Sequence, residues 1–326
     1  MHRSIFCAPE SRQRAARRPA LLATLTLALA VAACAPSVDQ QPPLDKPESA
    51  QSRSTRIVLL HHSVGEVIWN GGLANYISDW NSAHGSRYEI TELTYPNTLG
   101  GHADLRRVMP GRLFVKLVPD RYPWDNYPYD YWNLWIAHKG NQHDRYELNL
   151  DDLVRSYDVI VFKHCYPVSG IEPDNGAPSV SSRVKTEANY RLQYEALKQR
   201  MHEFPQTKFI LWTPTGLTQA FTNQPQAERA DRFTTWVKDS WDTKGDNIFL
   251  WDFRQLQTGG GLYVEAAHAR KGDEAHPSDE FAVQVAPLLG RRIIDVIEGR
   301  GDTGSLTGAN PERGDQMVRG GTRPRT

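Results

Sequence analysis

Apolar and polar positions alternate along the chain in blocks of two kinds. Five short and largely apolar blocks are typical of parallel strands buried on both faces: residues 57–61, 88–93, 158–163, 208–212 and 247–251. The second block is the most polar. Longer blocks, in which apolar residues recur every three or four positions, predict helices at residues 66–81, 185–203, 227–241 and 281–298. This alternation predicts one α/β domain with a five-stranded parallel sheet.

The second predicted helix has a clear apolar face. Its large apolar residues fall three or four positions apart, at Tyr190, Tyr194, Leu197 and Met201. Residues at this spacing lie on one side of a helix, so we expect them to be buried. Pro205 follows and is expected to end the helix before the next strand.

Residues 107–150 do not follow the alternation. They include "DRYPWDNYPYDYWNLWIAHKG", which has three Trp, four Tyr and two Pro. This stretch is too aromatic for a solvated linker and too interrupted by proline for a strand, so it predicts an ordered insertion after the second strand. Two interpretations stay open: a surface that stacks on sugars or covers a substrate, and a satellite core packed over the sheet.

The N-terminus predicts export. A basic segment precedes "ALLATLTLALAVAAC", an uncharged apolar run that is too short to span a bilayer and is typical of a secretory signal in residues 1–33. Its end, Val31 to Cys34, resembles the cleavage box of bacterial lipoproteins. This resemblance implies lipidation of Cys34 and a lipid-anchored location in the cell envelope, at the outer membrane of a Gram-negative cell. An ordinary signal peptide with a chance cysteine is the alternative.

Composition adds little about partners. The chain has 38 basic and 38 acidic residues, and removal of residues 1–33 leaves 33 and 37, a net charge of −4 that does not suggest nucleic acid. Residues 34–55 are rich in Pro, Ser and Gln and predict a flexible tether. Residues 299–326, with seven Gly, five Arg and no aromatic residue, predict a disordered tail, so the domain is expected to span 56–298.

Two polar motifs at opposite ends of this domain suggest acyl-transfer chemistry. The first apolar block runs directly into His61, His62 and Ser63, so it delivers polar side chains to the carboxyl end of a strand, where ligands bind in such sheets. Near the C-terminus, Asp273 and His276 are three residues apart, a spacing that brings carboxylate and imidazole to one side of a turn. A serine needs such an oriented base because its hydroxyl is neutral at pH 7.

These motifs resemble the first and last blocks of the SGNH/GDSL hydrolases, over about 240 residues. The first block here reads "HHSVG", which looks like a variant branch of the usual Gly-Asp-Ser, and the last is Asp-x-x-His. The resemblance implies a flavodoxin-like three-layer α/β/α fold, with Ser63 as nucleophile, His276 as base and Asp273 as the residue that orients it. It implies no cofactor and no metal.

The resemblance also assigns residues around the nucleophile. The backbone N–H groups of Ser63 and of Gly100 or Gly101 would form the oxyanion hole. The third strand ends in "FKHCYP", without the Asn that usually supplies a further donor, and is similar to the same variant branch. His61, Lys163 and His164 are expected to line the substrate pocket.

Other residues give weaker hypotheses. Cys165 is the one cysteine left after signal removal and lipidation; it is a candidate second nucleophile, although a lone thiol more often packs as a small apolar group. Asp252 and His268 are reserve site residues at a strand end and before the last motif. A metal site built from His61, His62, His164 and His276 is disfavoured, because adjacent strand residues point to opposite faces.

The leading hypothesis is a serine esterase that removes a small acyl group, such as an O-acetyl group of a glycan. An acyltransferase with the same three residues is the nearest alternative. The other is a non-catalytic envelope lipoprotein that binds a carbohydrate or a protein on a degenerate hydrolase fold.

Overall fold

The computed structural model describes residues 53–96, 122–123, 125–145, 147–273 and 275–310. It contains five strands, all paired in parallel: β1 (Thr55–His61), β2 (Tyr88–Thr94), β3 (Val159–Phe162), β4 (Lys208–Trp212) and β5 (Ile248–Trp251). Their spatial order is β2-β1-β3-β4-β5. The predicted strands are therefore confirmed, and so is the three-layer α/β/α class, because helices cover both faces of the sheet.

The described helices are α1 (Ser63–Ile68), α2 (Ala74–His84), α3 (Pro128–Trp132), α4 (Leu150–Ser156), α5 (Glu187–His202), α6 (Gln224–Trp236), α7 (Phe253–Thr258) and α8 (Asp279–Ile297). The sequence predicted α5, α6 and α8 within a few residues but missed α3, α4 and α7, which are shorter than two turns. It also merged α1 and α2. These two are separated by a wide π-type turn in which Gly72 has a φ of 104°, a conformation that favours glycine.

Successive residues of the central strands face opposite layers. Ile57 and Leu59 of β1 pack with α1, α7 and α8, whereas Val58 and Leu60 pack with α3 to α6. The same alternation holds in β3, whose four residues are all buried. The alternation also predicts which layer each residue just beyond the strand end will face, including the candidate site residues described below.

The aromatic segment belongs to the core. Tyr127, Tyr131 and Trp135 are buried in the layer formed by α3 to α6, and the Trp135 ring lies 5.0 Å from that of Phe162 on β3. The predicted apolar face of α5 is buried in the same layer. Of the two interpretations of residues 107–150, packing against the sheet therefore describes these side chains, and a surface for sugars does not.

The two edges of the sheet differ. All seven residues of β2 are partly or largely exposed, which explains why its sequence is the most polar. At the other edge, the segment after α8 packs against β5: Asp252 N–H donates to Leu306 O at 2.9 Å and Trp251 Nε1–H to Thr307 O at 3.1 Å. The prediction of a disordered tail from 299 is therefore wrong for residues 299–310, which belong to the domain.

The predictions for export lie outside the described residues. These are the signal at 1–33, the lipidated Cys34 and the tether up to residue 52. Among the helices that the structure describes, none is long and apolar enough to cross a membrane.

Candidate active site

Ser63 is the first residue of α1, directly beyond the carboxyl end of β1. The preceding His62 keeps an extended backbone and is buried. Burial and then the charge of Lys163 lower the pKa of His62 to about 3, so the ring is neutral at pH 7 and its Nε2–H donates to Pro96 O at 2.7 Å. This bond ties the turn before Ser63 to the end of β2.

The glycine two residues after the serine permits a close approach between α1 and β1. A Cβ placed on Gly65 would lie 2.3 Å from the Cβ of His61 and 3.2 Å from Cδ of Lys163. Because such contacts are far below van der Waals separation, a larger residue would push α1, and with it Ser63, away from the sheet. The close packing of α1 on β1 therefore explains why the "HHSVG" pattern ends in glycine.

Asp273 and His276 form the pair that their spacing suggested. His276 Nδ1–H donates to Asp273 Oδ1 at 2.7 Å, and the same oxygen accepts the backbone N–H groups of Ala275 (3.1 Å) and His276 (3.0 Å). Burial alone would raise the pKa of Asp273, but these hydrogen bonds outweigh it and the pKa lies below its ordinary value. The carboxylate therefore stays ionised and fixes the imidazole, leaving Nε2 as the nitrogen that can accept a proton.

The turn that holds this pair is closed by backbone hydrogen bonds. Arg270 N–H donates to His276 O at 2.9 Å and Asp273 N–H to Arg270 O at 3.1 Å. Just beyond it, the Ser278 hydroxyl accepts the N–H of Phe281 and caps α8. The start of α8 thus fixes the position of the imidazole.

Ser63, Asp273 and His276 line one cleft of about 560 Å³. The sequence did not identify its other lining residues, which are Glu66, Val67, Asn70, Gly71, Arg270, Asp279, Ala282 and Val283. Arg270 closes one side through an ion pair with Asp279 at 3.0 Å. The sequence did contain a signal for two of these residues. Glu66 lies three residues after Ser63 and Asn70 four residues after Glu66, and residues at these spacings share one face of a helix.

The Ser63 hydroxyl contacts a thiol. Its Oγ lies 3.9 Å from Sγ of Cys165, the cysteine that follows β3, because β1 and β3 are neighbours and end at the same edge. Among the described residues, this is the one side-chain hydrogen-bond contact of that hydroxyl, and either the hydroxyl or the thiol can be its donor. Cys165 itself is only 2% exposed.

The three residues expected to line the pocket are buried instead. His61 packs under Gly65, and its Nε2–H donates to the Glu92 carboxylate on β2 at 2.8 Å. Lys163 lies on the same side of the sheet, fully buried beneath α1. His164 follows it and faces the opposite layer, where its ring lies 4.9 Å from that of Tyr131. None of the three lines the cleft with Ser63.

Lys163 is a buried amine whose Nζ has no hydrogen-bond partner among the described residues. Burial lowers its pKa, an effect that the nearby Cys165 thiol opposes. A lowered folded pKa means that protonation costs stability. The cost is complete below the folded pKa and declines as the pH rises toward the unfolded value of 10.5.

We therefore expect Lys163→Met, which conserves volume and removes the unpaired amine, to raise the free energy of unfolding by about 1–3 kcal/mol at pH 7. Urea denaturation measures this, and the difference from the original protein should shrink between pH 7 and pH 10. Lys139→Met, at an exposed lysine, should change stability by less than about 0.5 kcal/mol. A destabilised Lys163→Met variant would contradict the expectation.

The remaining candidates have structural contacts. Asp252 caps α7 and pairs with Lys238 at 2.5 Å. His268 is buried, stacks on Phe281 and contacts Gln257 O through Nδ1 at 2.9 Å.

The four histidines of the metal hypothesis do not converge. No cluster of His, Cys, Asp and Glu suited to a metal occurs within the described ranges. Gly100 and Gly101, the predicted oxyanion donors, lie outside them.

Comparison of the sequence with models of known protein families and with curated proteins finds no match.

Proposed function

We propose that the protein is a serine ester hydrolase of the SGNH/GDSL type, acting on a small acyl ester. One observation carries the proposal: His276, held by Asp273 at 2.7 Å, opens onto the same cleft as Ser63. A nucleophile, a base and an orienting carboxylate are the three groups that acyl transfer to a serine requires.

In this mechanism, Ser63 Oγ attacks the carbonyl carbon of the ester while His276 Nε2 takes its proton. The Ser63 N–H is available for the resulting oxyanion, because the first N–H groups of a helix have no partner within it. His276 then gives the proton to the leaving alkoxide. A water molecule, deprotonated by the same imidazole, releases the acyl group and restores the serine.

Active-site labelling tests the proposal. A fluorophosphonate probe added to the full-length protein should modify Ser63, located by peptide mapping, and the labelled protein should no longer hydrolyse p-nitrophenyl acetate. Ser63→Ala should abolish labelling, whereas Ser82→Ala, at an exposed serine of α2, should leave it intact. A protein that neither reacts with the probe nor hydrolyses the ester would contradict the proposal and leave the binding alternative.

A further inference from the structure

A second cleft adjoins the first. It has a volume of about 480 Å³ and lies beyond the carboxyl ends of β3 and β4. Its lining includes the aromatic and apolar residues Tyr166, Leu217 and Phe221 and the polar residues Glu172, Lys185 and Gln226. Tyr166 belongs to the "FKHCYP" motif, but the mechanism above uses none of these residues.

Tyr166 connects the second cleft to the catalytic base. Its ring lines this cleft, and its centroid lies 6.2 Å from that of the His276 imidazole in an edge-on arrangement. His276 must reach both the serine oxygen and the leaving oxygen of the ester. The leaving oxygen of the alcohol must therefore come within reach of His276, and through Tyr166 the second cleft lies next to this imidazole.

The apolar lining residues include an exposed aromatic ring. Phe221 is 49% exposed, although large apolar side chains of this domain are mostly buried, and Leu217 beside it is 8% exposed. The face of an aromatic ring carries partial negative charge and attracts C–H groups. A ligand ring with an apolar face therefore fits against Phe221.

The polar lining residues offer hydrogen-bonding groups of both kinds, donors and acceptors. The Gln226 carbonyl accepts the Thr222 hydroxyl at 3.0 Å, which leaves the Nε2 amide group as a donor without a partner among the described residues. The Glu172 carboxylate forms no ion pair with a described residue and can accept. Lys185 is held at the same cleft by Asp125, at 2.9 Å. A long acyl chain would desolvate these groups without replacing their hydrogen bonds, whereas hydroxyl groups would satisfy them.

We propose that this second cleft binds the alcohol portion of the ester and that this alcohol is a polyhydroxylated ring such as a hexose. The ring stacks on Phe221, and its hydroxyl groups bond to Gln226 and Glu172. This inference rests on the proposed esterase function and adds the class of alcohol that the enzyme releases.

Two acetyl esters test the inference. 6-O-Acetylglucose and ethyl acetate share the acyl group and are both esters of a primary alcohol, but only the sugar ester carries the ring and free hydroxyl groups that the second cleft would bind. A change in the ratio of their kcat/KM values between variants therefore reports on the alcohol site. For the full-length protein, we expect this ratio to exceed about 10. Phe221→Ala and Gln226→Leu should each lower the ratio by about fivefold, chiefly through KM for the sugar ester.

The ratio also separates the possible failures. Both esters are measured on one preparation, so the folded fraction cancels. Leu192→Ala, at an exposed leucine on α5, is the control and should keep the original ratio. If neither ester is hydrolysed, the esterase function itself is overturned. If both are hydrolysed but Phe221→Ala and Gln226→Leu leave the ratio unchanged, the alcohol site alone is overturned.

Discussion

Replacing His276 by alanine should lower kcat for p-nitrophenyl acetate by about a thousandfold or more. Without the imidazole, Ser63 has no group to take its proton, and a neutral hydroxyl is a poor nucleophile. Asp273 would keep its two backbone N–H donors, Ala275 and residue 276, so the turn before α8 should still form. The loss should therefore fall on kcat, with little change in the thermal unfolding midpoint.

The chain offers a matched control for this experiment. His143 and Asp152 form another imidazole–carboxylate pair, also at 2.7 Å, that lies outside both clefts. His143→Ala should retain kcat within about twofold, because surface substitutions away from a site have small effects. If His276→Ala and His143→Ala had equal activity, the role of His276 as base would be rejected.

Ending the chain at Glu298 should lower the free energy of unfolding by about 3–5 kcal/mol relative to a chain that ends at Asn310, because buried hydrogen bonds lose their partners. The segment between them accepts from Trp251 and Asp252, as described above, and Gly301 O accepts Nη1–H of buried Arg292 at 2.6 Å. Arg292 would keep its bond to Leu250 O but leave the other end of its guanidinium unpaired.

Urea denaturation followed by circular dichroism measures this difference. Because both proteins lack residues 311–326, the comparison isolates residues 299–310. We expect the shorter chain to unfold at a lower urea concentration and its thermal unfolding midpoint to be roughly 10 °C lower. Equal midpoints would mean that the segment packs on the domain without stabilising it.

The fold was predictable because its signal is periodic. Short, uninterrupted apolar runs such as Ile57 to Leu60 are typical of buried strands, and their alternation with helical patterns implies a parallel sheet. The Asp273–His276 pair was predictable for a similar reason: both residues lie in one turn, so sequence spacing nearly determines their separation.

Other features depend on contacts that composition does not encode. The segment after α8 is held through backbone carbonyls, such as those of Gly301 and Leu306, and carbonyls are the same in every residue. Its Gly-rich sequence was therefore predicted to be a disordered tail. The contact between Ser63 and Cys165 required the strand order, which places β3 beside β1. Lys163 and His164 were both assigned to the pocket, although alternation allows only one of two adjacent residues on that side.

The order of the elements along the chain has a consequence for when the site exists. Ser63 follows the first strand, whereas His276 immediately precedes the last described helix, so the proposed nucleophile and the proposed base come from opposite ends of the domain. Contacts between such distant residues form only when the intervening chain has been ordered. A nascent chain, an N-terminal fragment or a state in which α8 has detached contains the serine without its base. Ester hydrolysis would then report on completed folding of the entire domain.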